Sequence, residues 1–157
     1  MYIIWQEYNN VMKIEGKEEV IVNPDEFWSF LSTPEKVVKC VPGVQSWKIE
    51  NEIIYAKIKA GIGFIKGAFD TTTRIISNDV EHKAAELEIS GTGSMGNFSA
   101  TVKVLLSPSS GGKYLITYSS DAKVSGTMGT LASPIVNSAI KNVVKDFLKC
   151  AEEGGHD

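Results

Sequence analysis

The sequence is nearly without arginine. Fifteen of its 16 basic residues are lysine and Arg74 stands alone, so fork-like guanidinium clamps on phosphate have one side chain to draw on. The lysines are scattered singly and the formal net charge is −3. The basic stripe that tracks a nucleic-acid backbone is missing, and nucleic acid is not an expected partner. Histidine and cysteine are scarce, at two each. Cys40 and Cys150 lie far apart with no histidine beside them. Two free thiols in a reducing cytosol are therefore expected, rather than a disulfide or a metal site. No apolar run approaches a membrane span, and MYIIWQEYNNVMKIEG at the N-terminus lacks the basic start and long apolar core of a signal peptide. There is no internal repeat, low-complexity tract or linker.

What is present reads as one ordinary globular domain: 157 residues, 43% hydrophobic and 22% charged. Residues 1–11 are an extension or an upstream start, residues 12–153 form the domain, and residues 154–157 are a tail. KIEGKEEVIV (13–22) predicts a strand. Asn23 follows as a helix cap, with Pro24 at the first helical position and Asp25 and Glu26 in the first turn. Thr33 and Pro34 repeat that arrangement for a second short helix, which Pro42-Gly43 stops. From Val44 to Ser125 six β-rich, mostly alternating segments follow. They are broken at Asn51-Glu52, Gly61–Gly63, Asn78-Asp79, Gly91–Gly96 and Ser107–Gly112. Connections this short favour an antiparallel meander, and the first strand makes the sheet seven-stranded.

GIGFIKGAF (61–69) has the look of a phosphate loop, but such a loop needs a helix after its glycines. Here AFDTTTRII follows, rich in β-branched residues. The glycines are expected to bend a sheet.

The final segment pairs its apolar residues four apart, from Leu131/Ala132 to Phe147/Leu148. Because four residues overshoot the 3.6-residue turn, the apolar stripe of a helix there drifts round its axis, which suits a helix laid across a curved sheet. Pro134 either kinks this helix or starts its second part, with Ser133 as cap. Strand parity puts Ala85, Leu87 and Ile89 on one face, Phe98, Ala100, Val102 and Val104 on one face, and Ile116, Tyr118, Ser120, Ala122 and Val124 on one face. The sheet is expected to be covered on one side only.

A strand, two short helices, six strands and a long C-terminal helix give an α+β helix-grip order. Three stretches, PDEFWSFLSTPEKVVKCVPGVQSW, GIGFIKGAFDTTTRI and SDAKVSGTMGTLASPIVNSAIKNVVKDFL, resemble the CoxG (carbon-monoxide dehydrogenase G-subunit) family of the START/polyketide-cyclase-like (SRPBCC) superfamily. The likeness runs from about Met12 to Glu153. It departs after Phe69, where Asp70-Thr71 stands in place of a further glycine. The resemblance implies a curved antiparallel sheet gripping the long helix around an apolar cavity, and a lipid- or quinone-like ligand. It also implies an accessory role for a molybdenum hydroxylase-type enzyme, with assembly or peripheral recruitment at the inner face of the membrane from the cytoplasm. It supplies no catalytic residues and no cofactor.

The expected cavity lining is Phe69, Leu87, Phe98, Val102, Ile116, Tyr118 and Ser120 from the sheet, under Met128, Leu131, Ile135 and Ala139 from the final segment. Small residues among them keep the space from filling. Tyr118 is the polar group of most interest, since a buried hydroxyl wants a partner; Ser120 and a ligand carbonyl are the two candidates. His82 is expected to face solvent and His156 lies in the polar tail. Glu86, Glu88, Asp70 and Asp121 are expected on outward faces, and Glu18-Glu19 is left as a carboxylate pair of unassigned face. Three functions from different classes remain: a non-catalytic carrier or adaptor, a cyclase- or dehydratase-type enzyme on the same scaffold, and a structural partner with a filled core. The enzyme would need inward His, Asp or Glu, and parity finds none. The turn Val41–Val44 with Trp47, and the glycine-flanked Met128, are expected to form an exposed apolar gate.

Overall fold

The computed structural model describes residues 11–62, 65–130 and 133–154. Its elements run β1 (Val11–Val20), α1 (Pro24–Leu31), α2 (Pro34–Lys39), β2 (Val44–Glu50), β3 (Ile53–Ile62), β4 (Ile65–Asp79), β5 (Ala84–Gly93), β6 (Gly96–Pro108), β7 (Tyr114–Val124) and α3 (Ser133–Glu152), with 3₁₀ turns at Ser110–Gly112 and Gly126–Thr130. The strands form one antiparallel sheet in the order β1-β7-β6-β5-β4-β3-β2, so β1 and β2 are its edges. The two short helices interrupt the meander between those edges, and α3 lies against the inner face, its backbone nearest β1 and β3.

Local chemistry explains most boundaries. The Asn23 Oδ1 accepts from the Glu26 N–H at 3.0 Å and Pro24 opens α1. Thr33 occupies the N-cap of α2 but makes no capping bond; its hydroxyl donates back to the Ser29 carbonyl at 2.7 Å, tying the two helices end to end. The β2–β3 turn places Asn51 and Glu52 both at positive φ, 52° and 67°, the geometry of a tight hairpin. Strand β1 starts two residues earlier than its alternation suggested, leaving Ile21 and Val22 as the approach to the cap. α3 begins at Ser133, so Pro134 stands in its first turn, where the missing N–H leaves no helical bond unmade.

The glycines behave differently from their reading as breaks. Gly91 and Gly93 lie inside β5, opposite Phe98 and Phe69 respectively. The Phe98 ring covers Gly91, and the Phe69 ring covers Gly93, so closely that a Cβ at either position would collide with it. Gly16 on β1 is covered in the same way by its partner Tyr118. Three aromatic rings thus lie along the sheet over cross-strand glycines, which repairs the poor strand propensity of glycine. Gly67 continues β4, with the Met95 side chain packed against it. A strand follows it and no helix, so GIGFIKGAF is no phosphate loop; Gly63 and Phe64 lie outside the described residues.

Cys40 and Cys150 are joined in a disulfide across 110 residues. The expectation of free thiols is overturned. The cap of α2 and the last turn of α3 meet only because α3 runs back across the whole sheet, and nothing local in the sequence announces that meeting.

Two apolar cores form among the described residues. One gathers Val20, Phe27, Trp28, Phe30, Leu106, Ile116, Leu148 and the disulfide where α1 and the end of α3 close on the sheet. A smaller one sets Val38 of α2 against Ile54 and Ala56 of β3. A register shift between Ile75 and Ser77 turns Asn78 inward opposite Ala85, where its side-chain oxygen accepts from the Trp28 indole at 2.9 Å and fixes α1 to the sheet.

Candidate functional site

Between the two cores the inner face of the sheet carries rows of side chains that belong to neither. Register aligns Ile14, Ser120, Val102 and Leu87 across β1, β7, β6 and β5. The neighbouring row is Met12, Ala122, Ala100 and Ile89. Leu87, Ile89, Val102 and Phe98 are only half-buried, although they sit on the face that α3 crosses. Phe69 and Phe98 meet edge to face with centroids 6.0 Å apart.

All but one of the expected lining residues can be placed. Phe69, Ile116, Tyr118 and Met128 are buried. Leu87, Phe98, Val102, Ser120 and Ala139 are half-buried. Leu131 lies outside the described residues, as does His156. Ile135 is 43% exposed and does not face the sheet. On α3 the second member is the more buried in three of the described apolar pairs, with Val136 and Leu148 enclosed while Ile135 and Val143 face out, and Ala139 and Ile140 are both half-buried. The pair spacing left that phase undetermined. Met128 is 5% exposed, not an exposed gate residue; its N–H donates to the Met95 carbonyl at 3.0 Å, docking the 3₁₀ turn on the β5–β6 turn. Trp47 is 41% exposed.

The polar end of this face is unusual. The hydroxyls of Tyr118 and Ser120, two residues apart on β7, are sealed from solvent and have no hydrogen-bond partner among the described residues. A buried unpaired hydroxyl costs about 1–3 kcal/mol. Tyr118 is 8% exposed, and its ring lies across Gly16, so the hydroxyl reaches toward β1. There the inward position after Gly16 is Glu18, opposite Ile116 and half-buried. Burial, and secondarily the Glu18 charge, push the Tyr118 hydroxyl above its ordinary pKa. Glu18 is the inward acid that strand parity did not find. The signal was available: Met12, Ile14 and Val20 set the inward phase of β1, and Glu18 falls on it.

The remaining charges lie elsewhere. Lys13, Lys17, Lys57, Lys59, Lys103 and Lys123 all take outward register positions. Asp70 and Asp121 are exposed on the outer face, and Glu88 pairs there with Arg74 at 3.0 Å. His82 stands exposed in the β4–β5 turn, its ring 2.9 Å from Asp79; hydrogen bonds from the His82 backbone and ring hold the Asp79 carboxyl below the usual carboxylate range. No cluster of His, Cys, Asp and Glu among the described residues could hold a metal ion, and no described helix is long and apolar enough to cross a membrane. A surface groove of ≈ 530 Å³ runs between α1 and the end of α3. Asp25, Glu26, Lys36 and Glu152 line it together with Val22, Phe27 and Phe30.

Residues 16–154 match the family described as the carbon monoxide dehydrogenase G-subunit, CoxG. A comparison with curated proteins finds no match. Among solved structures, a conserved protein from Geobacillus kaustophilus is similar with a TM-score of 0.81 at 24% identity, over 91% of this chain and 94% of that one. Ara h 8.0201 is similar with a TM-score of 0.65 at 18% identity, over 92% and 97%. Norcoclaurine synthase from Thalictrum flavum is similar with a TM-score of 0.63 at 17% identity, over 88% and 84%. At such identities these likenesses speak for the helix-grip fold alone.

Proposed function

The chain belongs to the CoxG family, and from that membership and the inner face of its sheet we propose that it is a non-catalytic accessory protein that holds a hydrophobic small molecule. The observation that carries this reading is the pair of sealed, unpartnered hydroxyls on Tyr118 and Ser120 beside half-buried apolar rows. A ligand with an apolar body and an oxygen-bearing end, lipid- or quinone-like, would supply both the missing partners and the missing packing. The family's name ties it to carbon monoxide dehydrogenase, so the partner enzyme is of the molybdenum hydroxylase type, and the work is its assembly or its peripheral recruitment to a membrane. Incubating purified protein with a lipid extract and identifying retained molecules by mass spectrometry tests the binding reading. Retention of a stoichiometric apolar compound is expected. A protein that retains none, and binds no apolar dye, is a structural partner with a filled core.

One observation favours an enzyme of cyclase or dehydratase type as the second reading: Glu18 lies inward beside Tyr118, as an acid–base pair would require. Its test is the chemical state of the recovered compound. A mass change that disappears in Glu18→Gln would put the enzyme first.

A further inference from the structure

The inner face of the sheet is electrically one-sided. Among the described residues Glu18 is the sole charged side chain at an inward position of β1, β5, β6 and β7, and every lysine of those strands points outward. Glu18 has no ion pair among the described residues, whereas its neighbour Glu19 on the outer face reaches Lys113 at 3.6 Å. Half-buried beside Ile116, it stands where a carboxylate's field is weakly screened. One inward row along is the Tyr118 hydroxyl, and one row further, opposite Ile14, that of Ser120; both can donate to an oxygen.

We propose that Glu18 and Tyr118, with Ser120 further along the same face, form a head-group selector, which anchors ligands whose polar end is an uncharged oxygen function and rejects long-chain carboxylates. The inference rests on the carrier reading and sharpens its ligand class. A fatty acid would bring a second negative charge against Glu18 with no cation at an inward position of these strands to offset it, while an alcohol, ester or amide presents an acceptor to Tyr118 at no such cost. The raised pKa of Tyr118, to which Glu18 contributes, indicates that the carboxylate's field reaches the hydroxyl that would hold the head group.

Competition between matched probes tests this. Nile red, an uncharged dye, would be bound to the full-length protein and displaced by dodecanol, dodecanoate or dodecylamine at neutral pH. Wild-type protein should bind dodecanol at least ~10-fold more tightly than dodecanoate, with dodecylamine no weaker than dodecanol. Glu18→Gln should narrow the alcohol–carboxylate gap ~5-fold or more through tighter dodecanoate binding, and Glu18→Lys should invert the order of dodecanoate and dodecylamine. Tyr118→Phe should weaken dodecanol ~5-fold with Nile red affinity unchanged. Circular dichroism checks that each variant is folded, and a folded Glu18→Lys suffices if Glu18→Gln is not. Equal binding of dodecanol and dodecanoate, or a gap that neither Glu18 variant alters, overturns the selector and leaves the carrier standing. Failure of wild-type protein to bind Nile red overturns the carrier reading and the selector together.

Discussion

The Tyr118 hydroxyl is buried without a partner among the described residues, and that single atom separates two kinds of role. A residue kept for packing alone loses nothing when an unpaired hydroxyl is removed. Tyr118→Phe should leave the ligand-free protein as stable or up to ~1 kcal/mol more stable by denaturant titration, since the desolvation cost of the hydroxyl goes with it; a loss of more than ~1 kcal/mol would mean that the hydroxyl is bonded. The same residue has a spectroscopic signature. Its folded pKa is raised by burial and then by Glu18, so it keeps its proton where the unfolded chain, at about 10, has begun to lose it. Its contribution to stability is therefore complete below pH ~10 and is lost as pH rises through the folded value. In absorbance titration one tyrosine should ionise after the others, and that step should be missing from Tyr118→Phe. Glu52 is a residue-scale case of strain: at φ 67° in the β2–β3 turn it holds a conformation that costs a non-glycine side chain ~1–2 kcal/mol. Glu52→Gly should raise the midpoint of thermal unfolding, by an amount worth about 1 kcal/mol, and create an Asn-Gly hairpin turn.

The strands show why some of the fold was legible and some was not. Alternation along β5, β6 and β7 reports which face is apolar, because a period of two leaves no other phase, and the positions of Leu87, Val102 and Tyr118 follow from it. Glycines at 91 and 93 look like loop residues in any local reading, because what stabilises them is a ring on another strand: Phe98 over Gly91 and Phe69 over Gly93. Pairing across the sheet is not a local property, so β5 runs on to Gly93 where a turn was expected. On α3 the paired pattern defined a stripe two residues wide, and only docking on the curved sheet decided that Val136 faces in and Ile135 out. Glu18, by contrast, was legible in the phase of β1. The glycine–aromatic pairs also carry a graded prediction. The atoms nearest to a Cβ at Gly91 all belong to the Phe98 ring, which can swing aside, whereas a Cβ at Gly93 would meet the Ala68 carbonyl at 2.5 Å as well as the Phe69 ring. Gly93→Ala should cost more than ~2 kcal/mol by chemical denaturation and Gly91→Ala clearly less. Equal losses would place the strain in backbone propensity and not in these contacts.

At the scale of the whole molecule the long helix is held at its two ends by different means. Its first turn follows the 3₁₀ segment Gly126–Thr130, which is tied to the β5–β6 turn through the Met128 N–H on the Met95 carbonyl at 3.0 Å, and just before it the Ser125 N–H donates to the Asn97 carbonyl of β6 at 2.9 Å. Its last turn is bonded covalently to the end of α2 through Cys40–Cys150, within the larger of the two cores. A ligand entering between α3 and the sheet must move the helix, and the end that hydrogen bonds hold is the freer one. The cross-link closes a loop of 110 residues, so it removes far more freedom from the unfolded chain than a local bridge would. Two measurements follow. Purified protein, denatured without reductant, should show no free thiol from Cys40 or Cys150 by mass spectrometry after alkylation. The double variant Cys40→Ser/Cys150→Ser should lose about 2–4 kcal/mol of stability, and more if either hydroxyl is left unpaired in the core. Hydrogen exchange separates the two ends: without the disulfide, protection should fall over the last turns of α3 and along α2, while amides near Met128 keep theirs. Loss of protection along the whole of α3 would mean that the disulfide, and not the Met95–Met128 docking, sets the position of the helix over the sheet.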